Sequence, residues 1–354
     1  MRRLFALMLL VAVPLMPACG NFTYYLQSVE GQMDLLQKRE LIAQVLADPA
    51  TPPALKRRLE QVLTIRDFAS AELKLPDNQS YRGYADLQRP FVVWNVFAAE
   101  EFSIMPRQWC FLFAGCVGYR GYFSLANAEA YARELGDQGL DVFVGGVPAY
   151  STLGWFDDPV LNTFVNYPEY ELARLIFHEL AHQLVYVKGD TEFNESFAAA
   201  VENEGVRRWI ARSGDDRMRA DFERSQLRRA QFAALVLKYR GELGALYATS
   251  SLAPAPMRER KAVLFAALRQ DYQRLKMEWG GFAGYDRFLI EPNNAKLASV
   301  ALYNTLVPRF QRLIARHHGN LSAFYAEVKE IAALGKDERD IRLEGVAPAG
   351  KEPL

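Results

Sequence analysis

Apolar positions recur every three to four residues over most of the chain, and the stretches that break this rhythm mark its organisation. Residues 24–46 carry Leu26, Val29, Met33, Leu36 and Leu41 about one turn apart and predict a helix. The prolines after Asp48 break it, and a second amphipathic helix over 54–73 starts with proline at its N-terminal edge. The two are expected to pair antiparallel and pack on the core. From Leu75 to Phe156 the pattern shifts to short, aromatic-rich apolar runs bounded by turn residues. These predict strands over 91–97, 109–113, 117–123, 140–145 and 149–155, with one helix at 126–135. Helical spacing returns at 170–186 and continues through 195–212, 218–247, 256–279, 295–314 and 322–334. Gly189, Gly280, Gly281, Pro292 and Gly319 punctuate these helices. The expected class is α+β, with an N-terminal helix pair and a small, mainly antiparallel sheet before a helix-rich half. The expected divisions are a leader at 1–18, N-terminal helices at 19–74, a sheet lobe at 75–168, a helical lobe at 169–335 and a frayed tail at 336–354.

Composition narrows this picture. Half of the 354 residues are hydrophobic, which supplies a sizeable core and argues against a disordered chain. Lys plus Arg and Asp plus Glu number 42 each, so no charge excess points to nucleic acid or to an acidic membrane surface. The first residues stand apart: Arg2 and Arg3 precede an apolar run from Leu4 to Val13, followed by Met16-Pro17-Ala18-Cys19-Gly20. A basic start, a short apolar run and a small residue before the break describe a secretory leader, too short for a comfortable membrane span. Cys19 after Ala18 resembles a bacterial lipobox, which implies lipidation at Cys19; plain secretion and an uncleaved anchor are the alternatives. By the same resemblance, Gly20 favours the outer membrane, with the chain facing the periplasm. Cys110 and Cys116 then remain as an even pair, readable as a disulfide in an oxidising compartment or as two buried thiols.

The candidate chemistry is concentrated at His178-Glu179-Leu180-Ala181-His182, within the helix predicted over 170–186. The chain has only four histidines, and two of them fall here. Positions four apart share a helix face, so His178 and His182 can reach one metal ion. Glu179 points about 100° round the axis, past the metal but within reach of a water on it. Two imidazoles with a carboxylate beside them suit a zinc hydrolase with Glu179 as general base. A third protein ligand is expected, and the stretch from Glu192 to Glu202 holds the candidates.

The string HELAHQ followed by NESFAAAVE resembles the gluzincin zinc peptidases, above all the aminopeptidase N clan. The resemblance implies a zincin-like fold, a Zn2+ cofactor and a peptide substrate. It makes Glu195 the third ligand, with Glu192 as competitor, and places Glu202, on the same helix face, as an acceptor for a ligand histidine. The loop between the two segments is shorter than in that clan, and no GAMEN-like segment for gripping a free amine is present. Related enzymes stabilise the oxyanion with a Tyr or His. Tyr303 is the first candidate, since Arg316-His317-His318-Gly319 reads as a helix C-terminus. Tyr150, Ser151 and Thr152 are candidates for an edge strand that aligns a peptide backbone, an ordinary core strand being the alternative. Cys116–Phe123, Ala149–Pro159, the helix pair and Asn293-Asn294-Ala295 resemble a bacterial lipoprotein family of zinc aminopeptidases. The reading is a zinc peptidase of the bacterial envelope, held to the membrane by its lipid, with aminopeptidase as its first mode. A zinc endopeptidase acting on envelope proteins and a non-catalytic lipoprotein for binding or assembly are the alternatives.

Overall fold

Helix ends fall where prolines, glycines and polar caps put them. This computed structural model describes residues 16–111, 115–249 and 252–345, with side chains from Thr23 onward. The chain enters helix α1 (Met16–Gln37), then strand β1 (Glu40–Leu41) and helices α2 (Ile42–Ala47) and α3 (Pro53–Ala71). The single helix expected over 24–46 is therefore divided. The backbone leaves α1 at Lys38 so that β1 can pair with β2 (Gly83–Ala85), Leu41 opposite Gly83. The expected antiparallel pair is corrected too: α2 rests on α3, with Ile42 and Val45 buried in the same cluster as Leu59 and Val62. Instead α1 lies against the sheet, where Gln27 Oε1 accepts from the Phe123 N–H at 3.1 Å and Tyr24 stacks on Phe111. Of the expected leader, residues 1–15 lie outside the described residues, and of Cys19 only the backbone, in α1, is described.

Strands β3 (Val93–Ala99), β4 (Trp109–Phe111), β5 (Gly115–Val117) and β6 (Arg120–Tyr122) lead to helix α4 (Leu125–Asp137), then β7 (Asp141–Val147) and β8 (Val160–Leu161). In place of one sheet there are three small ones among the described residues: β6-β3-β7, β1-β2-β8 and the β4–β5 hairpin. All pairings are antiparallel except β2 with β8. β3 is buried throughout: Trp94, Val96 and Ala98 cluster with Ala128 and Leu135 of α4, while Phe97 stacks on Phe143. The strand expected over 117–123 is split at Gly118-Tyr119: Val117 ends β5 opposite Trp109, and the second part joins β3. A disulfide joins Cys110 to Cys116.

The strand expected over 149–155 is a loop. Leu153 and Gly154 take positive φ (58° and 82°), and Asp158 gathers the segment, accepting from Thr152 N–H at 2.9 Å and Thr152 Oγ1 at 2.7 Å. Tyr150 Oη bonds to Gln32 of α1. Tyr150, Ser151 and Thr152 thus spend their polar groups on folding the loop and form no edge strand for a peptide.

The rest is helical: α5 (Glu169–Leu184), α6 (Thr191–Ser213), α7 (Asp216–Tyr247), α8 (Pro254–Glu278), α9 (Asp286–Leu289), α10 (Asn294–Asn304), α11 (Val307–Arg316), α12 (Leu321–Ala332) and α13 (Lys336–Glu344). The helix expected over 295–314 breaks at Thr305-Leu306, where Ser196 Oγ accepts from Leu306 N–H at 3.2 Å. The tail expected to fray continues as α13, held by a buried Arg339–Asp190 ion pair at 2.7 Å and by buried Leu343. Its last residues, 346–354, lie outside the described residues. The class is α+β with helix dominant. The largest core cluster lies where α5 and α6 meet α3, α11 and α12.

Candidate metal centre

Helix α5 begins at Pro168, whose fixed φ suits the edge of a first turn, and carries Glu169 and Glu171 where the helix dipole favours acids. It buries Leu172, Ile176, Phe177 and Leu180 against Phe193, Phe197 and Val201 of α6. The connection is short and closely tied. Asn194 accepts from Val187 N–H at 2.7 Å and donates to Val187 C=O at 2.8 Å, and Gly189 takes φ +81°. Asp190 then caps α6 by accepting from Phe193 N–H at 3.1 Å. These bonds return the chain within one turn, so Glu195 in α6 faces the histidines of α5.

The result is a triangle of donor atoms. His178 Nε2 lies 3.1 Å from His182 Nε2 and 3.3 Å from Glu195 Oε2, and the third edge, His182 Nε2 to Glu195 Oε2, is 3.7 Å. Ligand atoms bonded to a tetrahedral zinc at about 2.0–2.1 Å are separated by roughly 3.3 Å. The donor set therefore fits such an ion in both chemistry and spacing. Among the described residues these three are the group of His, Cys, Asp and Glu side chains that could hold a metal ion. Glu192, the competing ligand, lies outside the triangle.

Electrostatics favours a cation here. His178 Nδ1 lies 2.8 Å from Glu202 Oε2. Burial pulls the His178 pKa down, but its bonds to Glu195 and Glu202 outweigh this and raise it to about 10. Burial opposes ionisation of Glu195 and Glu202 as well. His182 and His178 override it for Glu195, and Arg174 and His178 for Glu202, holding both carboxyls at about 2. With Nδ1 of His178 bonded to Glu202, Nε2 is the ring nitrogen that faces the triangle.

Behind His178 the ion pairs continue. Arg174, one turn earlier on α5, donates from Nη1 to both Glu202 oxygens at 3.0 and 3.1 Å and from Nε to Glu171 at 2.8 Å. Glu171 is held in turn by Arg229 of α7. Glu171, Arg174 and His178 share a helix face at three- and four-residue steps, and that spacing was the sequence signal for the chain of ion pairs.

Glu179, next to His178 on α5, is buried, and burial raises its pKa. One turn on, Gln183 accepts from Asn78 Nδ2 at 2.7 Å and donates to Ser80 Oγ at 3.1 Å, tying this face to the turn that precedes β2. Tyr81 in that turn takes φ +62°, and its buried hydroxyl has no hydrogen-bond partner among the described residues. The Glu179 and Asp158 carboxylates both act on it. Burial also lifts Asp158, to about 7, against the bonds from Thr152.

Two tyrosines feel the charge of Glu195. Tyr303 of α10 and Tyr119 of the β5–β6 turn both have hydroxyls raised well above their usual range, first by burial and then by the Glu195 carboxylate. Both therefore remain protonated donors. Their elements touch, since a Cβ on Gly118 would meet Leu302 Cδ1 at 3.1 Å. Asn293 and Asn294 fix α10: Asn293 caps it by accepting from Lys296 N–H, and Asn294 donates to the Glu101 C=O at 2.9 Å beyond the end of β3. His317 ends α11 with its Nε2 2.6 Å from Glu327 Oε2 and plays no part in the cluster. Tyr119, Tyr81, Arg174 and Asp158 were missed from the sequence. Strand-loop tyrosines carry no spacing signal, and Asp158 becomes unusual only by burial.

A family described as "Putative aminopeptidase" matches residues 23–343. No curated protein and no solved structure matches the chain.

Proposed function

Since the chain belongs to this aminopeptidase family, we propose that it is a zinc-dependent peptidase of the bacterial cell envelope whose centre is His178, His182 and Glu195. The observation that carries the reading is the donor triangle, with Glu179 buried beside it. A zinc ion held there would supply Lewis acidity, polarising a carbonyl and acidifying water. Glu179 takes the proton of the attacking water at its carboxylate and passes it to the leaving amine. Tyr303 and Tyr119 offer phenolic O–H groups to the developing oxyanion. Glu202 holds the His178 ring with Nε2 turned inward, and Arg174 holds Glu202. The zincin-like arrangement would place the ligands in the helical part after residue 169 and the covering loops in the part before it. Cys19 would carry a lipid, setting the enzyme on the periplasmic side of the outer membrane.

The first test is Glu179→Gln. It should keep zinc at wild-type stoichiometry and lower kcat by at least about a hundredfold. His182→Ala and Glu195→Ala should lose the metal, and full occupancy in Glu195→Ala would move the third ligand elsewhere. Comparing free-amine with N-acetylated peptides separates the modes: an aminopeptidase cuts only the former and an endopeptidase cuts both. Zinc bound without hydrolysis of either would favour the binding or assembly alternative.

A further inference from the structure

Tyr81 holds a backbone conformation that a bulky side chain rarely adopts, with φ at +62°, and several bonds keep it there. The fully buried Arg66 of α3 clamps the preceding residues, donating to the carbonyls of Pro76, Asn78 and Ser80 at 2.6, 3.1 and 2.8 Å. Gln183 ties the same turn to α5 through Asn78 and Ser80, and the Tyr81 N–H donates to the Asp158 carbonyl at 2.6 Å. Backbone strain secured in this way points to a function for the side chain it places. That side chain is 1% exposed and ends in a hydroxyl with no hydrogen-bond partner among the described residues. A buried O–H left without an acceptor costs stability, so an acceptor is expected close by. Two carboxylates lie within its electrostatic reach, Glu179 acting more strongly than Asp158. Both Asp158 oxygens are already taken, Oδ2 by the Thr152 N–H at 2.9 Å and Oδ1 by Thr152 Oγ1 at 2.7 Å. Glu179 differs. Burial and the charges of His178, His182, Glu195 and Glu202 act on it, with no hydrogen bond among these influences. It lies one turn before Gln183 on the same face of α5, the face to which Gln183 fastens the Tyr81 turn. A buried donor lacking an acceptor and a buried carboxylate lacking a donor thus meet at one junction of turn and helix.

We infer that Tyr81 is a positioning residue for Glu179, its hydroxyl donating through one buried water to the Glu179 carboxylate. A bridging water suits the junction, since both groups are polar and such waters commonly satisfy buried groups of this kind. Held by this bond, one carboxylate oxygen is turned to the Tyr81 side and the other is left for the proton of the attacking water. The inference deepens the peptidase reading and rests on it for the work Glu179 does. The bond itself stands apart from that reading.

The test is a double-mutant cycle on the full chain at matched zinc content. Tyr81→Phe removes only the hydroxyl, and Glu179→Met removes the acceptor while filling its volume. Tyr81→Phe should lower the urea-unfolding midpoint in the wild-type background. In the Glu179→Met background it should leave the midpoint unchanged or raise it, because the hydroxyl there has lost its acceptor. Equal shifts in the two backgrounds overturn the inference. Hydrolysis supplies the second measurement. Tyr81→Phe should lower kcat on a free-amine peptide about 10- to 100-fold, with KM and zinc stoichiometry at wild-type values. In the Glu179→Gln background the same change should lower the residual rate no further. An unchanged kcat, or a fall in kcat matched by loss of zinc, overturns the positioning role. A wild-type chain that cuts no peptide would sink the peptidase reading alone, since the unfolding cycle still decides the bond.

Discussion

Glu202 accepts from two cationic groups, His178 at 2.8 Å and Arg174 at 3.0 Å, and so fixes which ring nitrogen of His178 faces the metal position. Removing Arg174 leaves a buried carboxylate with one partner fewer and His178 free to tilt. Arg174→Met should weaken zinc binding about 10- to 100-fold, measured by chelator competition, and Arg174→Lys should recover part of the loss. Asp158 provides a separate residue-level test. Its carboxyl titrates at about 7 in the fold against a usual value of 3.8, chiefly because it is buried. The folded chain therefore binds this proton more tightly than the unfolded chain does. The resulting stabilisation is full below about pH 4 and is lost as the pH rises to about 7, a change of at most about 4 kcal/mol. Asp158→Asn does not titrate, so its urea-unfolding stability relative to wild type should improve steadily across that interval.

At the scale of elements, the centre depends on the angle at which α6 leaves α5, and two distant segments hold the turn between them. Asp190 both caps α6 and pairs with Arg339 of α13, while Lys336 stands 3.5 Å from the same carboxylate. On the other side the disulfide hairpin abuts the turn so closely that a Cβ on Gly115 would lie 2.7 Å from Gly189 N. Arg339→Met strands a buried charge with only exposed Lys336 in compensation, and should cost about 3 kcal/mol in chemical unfolding. The α5–α6 pair was legible in the sequence because its apolar spacing acts within a few residues, but α6 starts at Thr191, four residues before the expected 195, because Asp190 caps it. The role of α13 was not, since a short charged segment with one buried leucine reads as a tail until its partner is known.

At the scale of the molecule, metal binding and folding should be coupled. The three ligands come from two helices held together by the largest core cluster. An ion bound only by the folded chain stabilises it by about 2.7 kcal/mol at a hundred times its dissociation constant. Zinc should therefore raise Tm of the metal-free protein by about 2 °C or more in calorimetry, and should leave His182→Ala unmoved.

The α+β class, the order of strands before helices and the pairing of His178 with His182 follow from local period and spacing. One turn of helix fixes which residues share a face, whatever surrounds it. Glu195 came instead from the resemblance of NESFAAAVE to the gluzincin peptidases, and the residues alone left the whole stretch from Glu192 to Glu202 open. Tertiary structure decided the rest. It left Leu26, Val29 and Met33 of α1 exposed, while Gln27 and Gln32 bond Phe123 and Tyr150 and Leu35 enters the core. It made a loop of residues 149–155 because Asp158, several residues further on, collects their donors. It also brought Tyr119 and Tyr303, from elements far apart in the chain, within the electrostatic reach of the same carboxylate. Each of these outcomes depends on competition among distant hydrogen-bond partners, and no periodicity along the chain records which partner wins.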